Sequence, residues 1–506
     1  MRRVGSRYGV CGSLIALTPK SPEAPVRHVD VAVLGAGFAG IGMAARLAGR
    51  GIRDFVVIER ADDVGGVWRD NTYPGAACDI RSDVYSLSFA PNPDWSRSYG
   101  SQPEILEYLR STAREQGLYE HMLFGTELQD AGWDAAANLW RLTTSTGELT
   151  ARVLVSGHGP LIDPVWPTIP GLESFAGPRF HTAQWDHSVD LTGKRVAVIG
   201  TGASSIQVVP EVAKVAGHLT VFQRSAPWII PRNDKPTSER RRRAFRRFPA
   251  LQRIARRLEF LRAEVNFLGF KYKPVGAAAA QQSLAFLRKQ VKDPALRAKL
   301  TPDYRIGCKR ILVTSAYYPA LTRPNVSLET SAITAVEGPT IVTADGNRHE
   351  VDVIIGGTGF NATEPSVARL VRGTDGRTLS EHWASYTAAL RGTAVPGFPN
   401  LFLLNGPNTI LSHNSMIYII ESQVDYILQA LDAAAGGTIE ATPEALRAYN
   451  ESLQRTMRTS VYLTGGCSSY YLDAEGRNTV SWPHSAMAFR KAVRRLDARE
   501  FAVTPG

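Results

Sequence analysis

Cysteine is scarce in this chain: four residues in 506, Cys11, Cys78, Cys308 and Cys467, far apart and without a C-x-x-C pair. That spacing argues against a structural zinc site, a thioredoxin-type redox centre and a disulfide framework, and it points to a reducing cytoplasm. Cys308 reads as a small buried apolar residue rather than a nucleophile. Long apolar runs are also missing. The longest uncharged stretch, 400–420, is broken by Pro407 and several asparagines, which argues against a membrane span. At the N-terminus, the patch Val10 to Leu17 is interrupted by Gly12 and Ser13, and no small-x-small site follows, so residues 1–28 read as a disordered tail rather than a secretion signal. His413 and His484 lack partner spacing and are read as neither ligands nor bases; no metal is expected.

What is present is the composition of an ordinary globular protein, 44% apolar and 21% charged, long enough for about three domains. The net charge is +11, and most of it sits in one place. From Arg232 to Lys273 there are 14 basic residues against four acidic ones. Outside that run the chain is close to neutral, so a polyanionic partner is not demanded of the protein as a whole.

Two stretches share one pattern. Val29 to Leu34 is a β-branched run ending in Gly35-Ala36-Gly37-Phe38-Ala39-Gly40, followed by a helical pattern and a second strand, Phe55 to Ile58, that ends at Glu59. From Arg195 the succession recurs: strand Val196 to Ile199, turn Gly200-Thr201-Gly202-Ala203-Ser204-Ser205, helix through Val215, strand Leu219 to Phe222. A glycine turn between strand and helix lets the backbone approach a pyrophosphate, whose charge rests on the helix N-terminal amides. Occurring twice in the right context, it predicts an α/β chain with two doubly wound dinucleotide-binding domains.

The end of the second strand selects the ribose. A carboxylate there accepts from the 2′- and 3′-hydroxyls, while a guanidinium welcomes a 2′-phosphate. Glu59 and Arg224 lie equally far, 24 residues, beyond the first glycine of their own turns. The first site is therefore expected to take FAD and the second NADPH, with Ser225 and Lys309 sharing the 2′-phosphate. Ser205 stands in the third glycine's place and is small enough for close packing.

The segment 229–306 changes to helical spacing, with Phe245, Phe248, Leu251, Ile254, Leu258, Leu261 and Val265 in phase and Pro249 expected to kink or split it. It reads as a helical insertion in the second unit. The expected division is FAD binding by 29–160 and 394–506, NADPH binding by 161–228 and 307–393, and the insertion at 229–306.

Between the two units lies Phe175-x-Gly177-x-x-x-His181-x-x-x-Trp185-Asp186. It resembles the fingerprint of type I Baeyer-Villiger monooxygenases, FAD- and NADPH-dependent flavoenzymes. Gly66-Val67-Trp68, the loop Tyr73 to Asp79 and Tyr85 resemble that family's flavin-edge segments, and Leu128 matches a backbone position near the adenine. Gly307-Cys308-Lys309-Arg310 resembles the segment carrying the active-site arginine, and Asp352 with Gly357-Thr358-Gly359-Phe360 resembles a junction signature in which Gly357 replaces the usual alanine. His413-Asn414-Ser415 and the stretch around Tyr470, where relatives often have tryptophan, look closer to the 4-hydroxyacetophenone-type members.

The resemblance implies O₂-dependent insertion of oxygen beside a ketone carbonyl, giving an ester or lactone by way of a C4a-peroxyflavin. Arg310, positioned by Asp79, would be the catalytic pair, since guanidinium stays charged at any working pH and presents directed donors. Tyr470 would lie near the nicotinamide ribose, Asn414 and Ser415 near the flavin, and His181 and Trp185 at the domain linker. The nearest rival is a flavin monooxygenase acting on sulfides, amines or a long-chain substrate. A rival of another class is a basic module binding nucleic acid or a membrane. The basic run has few aromatics and no nucleic-acid motif, so no nucleic-acid partner is expected, and 232–273 reads as a solvated flap or as a weak membrane-surface contact of a cytoplasmic enzyme. Oligomeric state is not legible.

Overall fold

The computed structural model describes residues 26–506; residues 1–25, with Cys11 and the patch Val10 to Leu17, lie outside the described residues, and the tail expected through residue 28 ends earlier, because Arg27 already opens the first strand. Two parallel-cored sheets organise the chain. In the first, Arg27–Leu34 lies between Phe55–Ile58 and Gly147–Ser156, all parallel. Met122–Leu123 extends one side, and an antiparallel meander, Leu128–Asp134, Leu139–Thr144 and Gly147–Ser156, extends the other. The second sheet is parallel throughout, in the order Val326–Glu329, His218–Phe222, Arg195–Ile199, Val353–Gly356, Arg179–His181.

Both central strands are apolar on both faces, as a sheet covered on each side requires; in the second sheet helices cover one face and the antiparallel strands Ile333–Glu337 and Thr340–Thr343 the other. Phe38–Gly49 is buried along most of its length and packs against Met416–Ala434, a helix that returns from the C-terminal part of the chain. The C-terminal part therefore completes the first unit. Its return comes earlier than residue 394: Val371–Arg372 already pairs with Leu128–Asp134, and Val367, Ala368, Leu379 and Trp383 join the core of the first sheet. The crossover thus falls between Gly356, the last residue of the second sheet, and Val367.

Between the short parallel strands Ile229–Ile230 and Leu312–Val313 stand four helices, Glu239–Arg247, Pro249–Lys271, Lys273–Gln290 and Pro294–Lys299. Pro249 splits the first two by opening the second, where its missing N–H has no helical partner to lose. The apolar stripe runs opposite to a core-facing stripe. Phe245 is buried, but Phe248, Leu251, Ile254, Leu258, Leu261 and Val265 face solvent.

The cysteine reading is corrected. Cys308 is buried and bonded to Cys467 across 159 residues of sequence. Sequence spacing could not reveal a pairing made by packing the arginine segment on the C-terminal loop, and cysteine usage therefore loses its force as a sign of a reducing compartment. Among the described residues no helix is long and apolar enough to cross a membrane.

Candidate active site

A cavity of about 1350 Å³ lies between the two sheets' C-terminal edges and is lined by both glycine turns. At the first, Gly35 holds φ +87, and a Cβ on Gly40 would lie 1.8 Å from Gly35 O, so the helix start closes directly on the turn. Gly66 (φ +52) also lies against Gly37, less tightly; a Cβ there would sit 3.1 Å from Gly37 Cα. Glu59 is buried beneath the turn. Its Oε2 accepts from Ala36 N at 2.8 Å, its Oε1 accepts from Ala61 N at 3.0 Å, and Arg69 lies 3.2 Å away. Val67, Trp68, Tyr85, Leu128 and Asn414 line the same cavity. Trp68 Nε1 donates to Tyr85 Oη at 3.0 Å, which fixes both rings. Ser415 is set off the wall; its Oγ accepts from Ile417 N and caps Met416–Ala434.

At the second turn Gly200 holds φ +109, and Thr201, Gly202, Ala203 and Ser204 line the cavity. Ser205 does not reach it. Its Oγ sits 3.4 Å from Gly357 O, and a Cβ on Gly357 would fall 1.9 Å from that Oγ. The serine in the third glycine's place and the glycine in the alanine's place therefore occupy one space. Arg224, Ser225 and Lys309 gather at the strand end, with Lys309 Nζ donating to Ser225 Oγ at 2.6 Å. Burial, and then the Arg224 charge, push the Lys309 ammonium below its ordinary pKa. An anion placed between the two cations would relieve both effects.

Arg310 and Asp79 meet on the cavity wall. Nε donates to Oδ2 at 2.9 Å and Nη2 to Oδ1 at 2.8 Å and Oδ2 at 2.7 Å, a two-pronged pair that leaves Nη1 uncommitted among the described residues. The Asp79 carboxylate outweighs burial and holds the guanidinium's pKa above its ordinary value. Tyr470 lines the cavity beside Arg310, and the Cys308–Cys467 bond ties the loop carrying Tyr470 to the segment carrying Lys309 and Arg310.

The fingerprint residues do not line the cavity; they sit in the second unit, on and around its edge strand Arg179–His181. Gly177 is required locally: a Cβ would meet Asp352 O at 2.5 Å and the Phe175 ring at 2.7 Å. His181 is buried, with Nδ1 accepting from Ala183 N at 3.1 Å and its ring edge-on to Trp166 and Phe360; burial lowers its pKa to about 4, so it is neutral. Trp185 packs edge-on against Phe180, and exposed Asp186 caps the turn to Ser188. Asp352 is pinned by Arg195.

Two groups escaped sequence reasoning. Gln207, on the helix after the second turn, grips the Asp79 loop: it donates to Ala77 O at 2.9 Å and accepts from Tyr73 Oη at 3.0 Å. Glu264 reaches from the long inserted helix to His413 Nε2 (3.0 Å) and Asn414 Nδ2 (2.9 Å), and accepts from Ala486 N and Met487 N. Burial pushes its carboxyl up, but the His413 and Asn414 contacts outweigh it and hold the pKa down at about 2. No local motif marks either residue, since both act on segments more than 100 residues away.

Gly37 and Gly202 face the cavity without a side chain, leaving room for a diphosphate, one turn ending over a carboxylate and the other beside two cations. These residues fit FAD and NADPH respectively. Comparison with known proteins agrees. Residues 28–250 match the family "FMO-like: Flavin-binding monooxygenase-like". The chain is 48% identical over 481 residues to a Baeyer-Villiger monooxygenase of Streptomyces coelicolor, covering 94% of this chain and 93% of that protein. It is 46% identical over 496 residues to one of Pseudomonas aeruginosa, covering 97% and 94%. Among solved structures, an oxidized steroid monooxygenase bound to NADP superposes with a TM-score of 0.84 at 32% identity, covering 95% of this chain and all of that one. With relatives this similar over nearly its whole length, the chain belongs to the Baeyer-Villiger monooxygenases.

Proposed function

We propose that this protein inserts one oxygen atom from O₂ beside the carbonyl of a ketone, at the expense of NADPH, and that Arg310 carries the charge-stabilising role. Bound FAD and NADPH supply the redox chemistry; what the chain supplies is placement. The first turn and Glu59 hold the flavin nucleotide. The second turn, with Arg224, Ser225 and Lys309, receives the phosphorylated one. Gln207 ties the Asp79 loop of the first unit to the helix that starts at the second turn.

The observation that carries this reading is the Arg310–Asp79 pair on the wall of a cavity shared by both turns. A guanidinium held charged and oriented stabilises negative charge developing on oxygen next to the carbonyl, and in a partly dry site such a fixed donor acts without reorganisation. Asp79 is the positioning partner: it fixes Nε and Nη2 and leaves Nη1 as the free donor. Arg310→Ala should keep its yellow flavin and oxidise NADPH while yielding no ester; product analysis with a ketone panel checks this, and full ester yield would overturn the role.

On finer points, the Asn414 and Tyr470 stretches support a place near the 4-hydroxyacetophenone-type members, and the half-exposed Tyr470 beside Arg310 favours a substrate that meets an aromatic wall. The basic segment 232–273 is read as the point where the enzyme meets a membrane surface.

A further inference from the structure

The helix Pro249–Lys271 is apolar on two faces. Toward the protein it packs Phe260 and Phe270, with polar groups set among them. Gln252 donates to Asn92 O at 2.7 Å, Arg256 donates to Ser86 O at 2.7 Å, Glu259 pairs with Arg81 at 3.2 Å, and Glu264 is buried on His413 and Asn414. Toward solvent it turns Leu251, Ile254, Leu258, Leu261, Val265 and Leu268, each between 40% and 62% exposed. Their spacing alternates three and four, which makes one continuous stripe along a helix about 35 Å long. Phe248 and Tyr272 extend it at either end. A contiguous apolar surface of this kind marks a contact site, where scattered single residues would need no explanation.

Charge decides what covers it. Both carboxylates of the helix, Glu259 and Glu264, are turned inward, so the stripe is bordered by exposed Arg253, Arg257, Arg262 and Lys271, with no exposed carboxylate on this helix. A second copy of the same helix would set cation against cation in either orientation. An anionic lipid surface satisfies both features: apolar side chains enter the acyl boundary while arginines meet phosphates. Four of the preceding arginines are otherwise engaged. Arg241 pairs with Asp83, Arg246 with Asp94, and Arg242 and Arg243 with Glu239.

We propose that the outer face of Pro249–Lys271 is a docking surface for an anionic phospholipid membrane, on which the helix lies flat. This narrows the basic segment 232–273 to one helix face and requires no spanning element.

Flotation of the FAD-loaded enzyme with vesicles tests it. The enzyme should float with phosphatidylcholine vesicles containing phosphatidylglycerol, stay unbound with phosphatidylcholine alone, and be released by salt. Leu258→Ser/Val265→Ser should weaken binding at least about tenfold, through lost apolar insertion, while NADPH oxidation is unchanged, because neither residue lines the cavity. Absence of flotation on the anionic vesicles, or flotation indifferent to that double substitution, would overturn the proposal. So would a dimer in light scattering, without vesicle binding, that the same substitution converts to monomer; the stripe would then be an interface between copies. Flotation is read without turnover, so its failure leaves the oxygenase reading untouched.

Discussion

Glu59 and Arg224 close the second strands of two units built to the same plan, yet their surroundings differ in kind. Glu59 is buried and already holds two backbone N–H groups and Arg69. Arg224 is exposed, has no described carboxylate partner, and stands beside a second cation, Lys309. The first site is finished before any nucleotide arrives, its carboxylate charge answered from within. The second carries unanswered positive charge that a 2′-phosphate would neutralise. One end of the cavity is thus shaped for a resident group and the other for one that comes and goes.

The contrast is broken most severely at the turns. Gly40→Ala would drive a Cβ to 1.8 Å from Gly35 O, a backbone atom that cannot step aside, and the helix start would have to leave the turn. Flavin-to-protein ratio after purification should fall to near zero. Gly202→Ala, at the middle glycine of the second turn, where Ser205 holds the third glycine's place, meets nothing closer than 4.0 Å, and there stability should change by less than ~0.5 kcal/mol, with flavin retained. Equal losses from both substitutions would mean that the close approach of Gly40 to Gly35 O does not set the cost.

The next largest effect concerns the cations. Hydrogen bonds to charged groups contribute ~1.5–3 kcal/mol each, so Arg224→Ala should raise KM for NADPH about 10- to 100-fold. KM for NADH, which lacks the phosphate, should move little. Steady-state kinetics with both nucleotides checks the split, and parallel loss with both would assign Arg224 to structure instead.

How much of this was legible in the sequence follows from what is local. Strand, turn, helix and strand of fixed length place Glu59 and Arg224 at the same offset, so both ribose ends could be read directly. Arg310 and Asp79 are 231 residues apart, and only family resemblance brought them together before their pairing was seen. Gln207, Glu264 and the Cys308–Cys467 bond depend on contacts across more than 100 residues and left no local trace. The stripe from Leu251 to Val265 shows a partial failure: its period was readable, its direction was not. Direction is set by the partners: Asn92 O, Ser86 O, Arg81 and His413 hold polar groups of the helix inward, and Phe260 and Phe270 pack beside them.

The smallest predicted effect is the sharpest test of how the second unit departs from the pattern. Ser205 and Gly357 each differ from the usual residue, and they share one space, since a Cβ at 357 would lie 1.9 Å from Ser205 Oγ. Gly357→Ala alone should overpack the junction and cost ~1–3 kcal/mol. Ser205→Gly alone removes a weak 3.4 Å hydrogen bond and loosens the helix start, a smaller loss. Together they restore the common pairing of glycine in the turn with alanine in the strand end, so the double variant should be more stable than Gly357→Ala by ~1 kcal/mol or more, a coupling expected only of residues in contact. Tm of the four proteins completes the cycle. Additive losses would mean that the two departures arose independently, and that the turn tolerates Ser205 without help from Gly357.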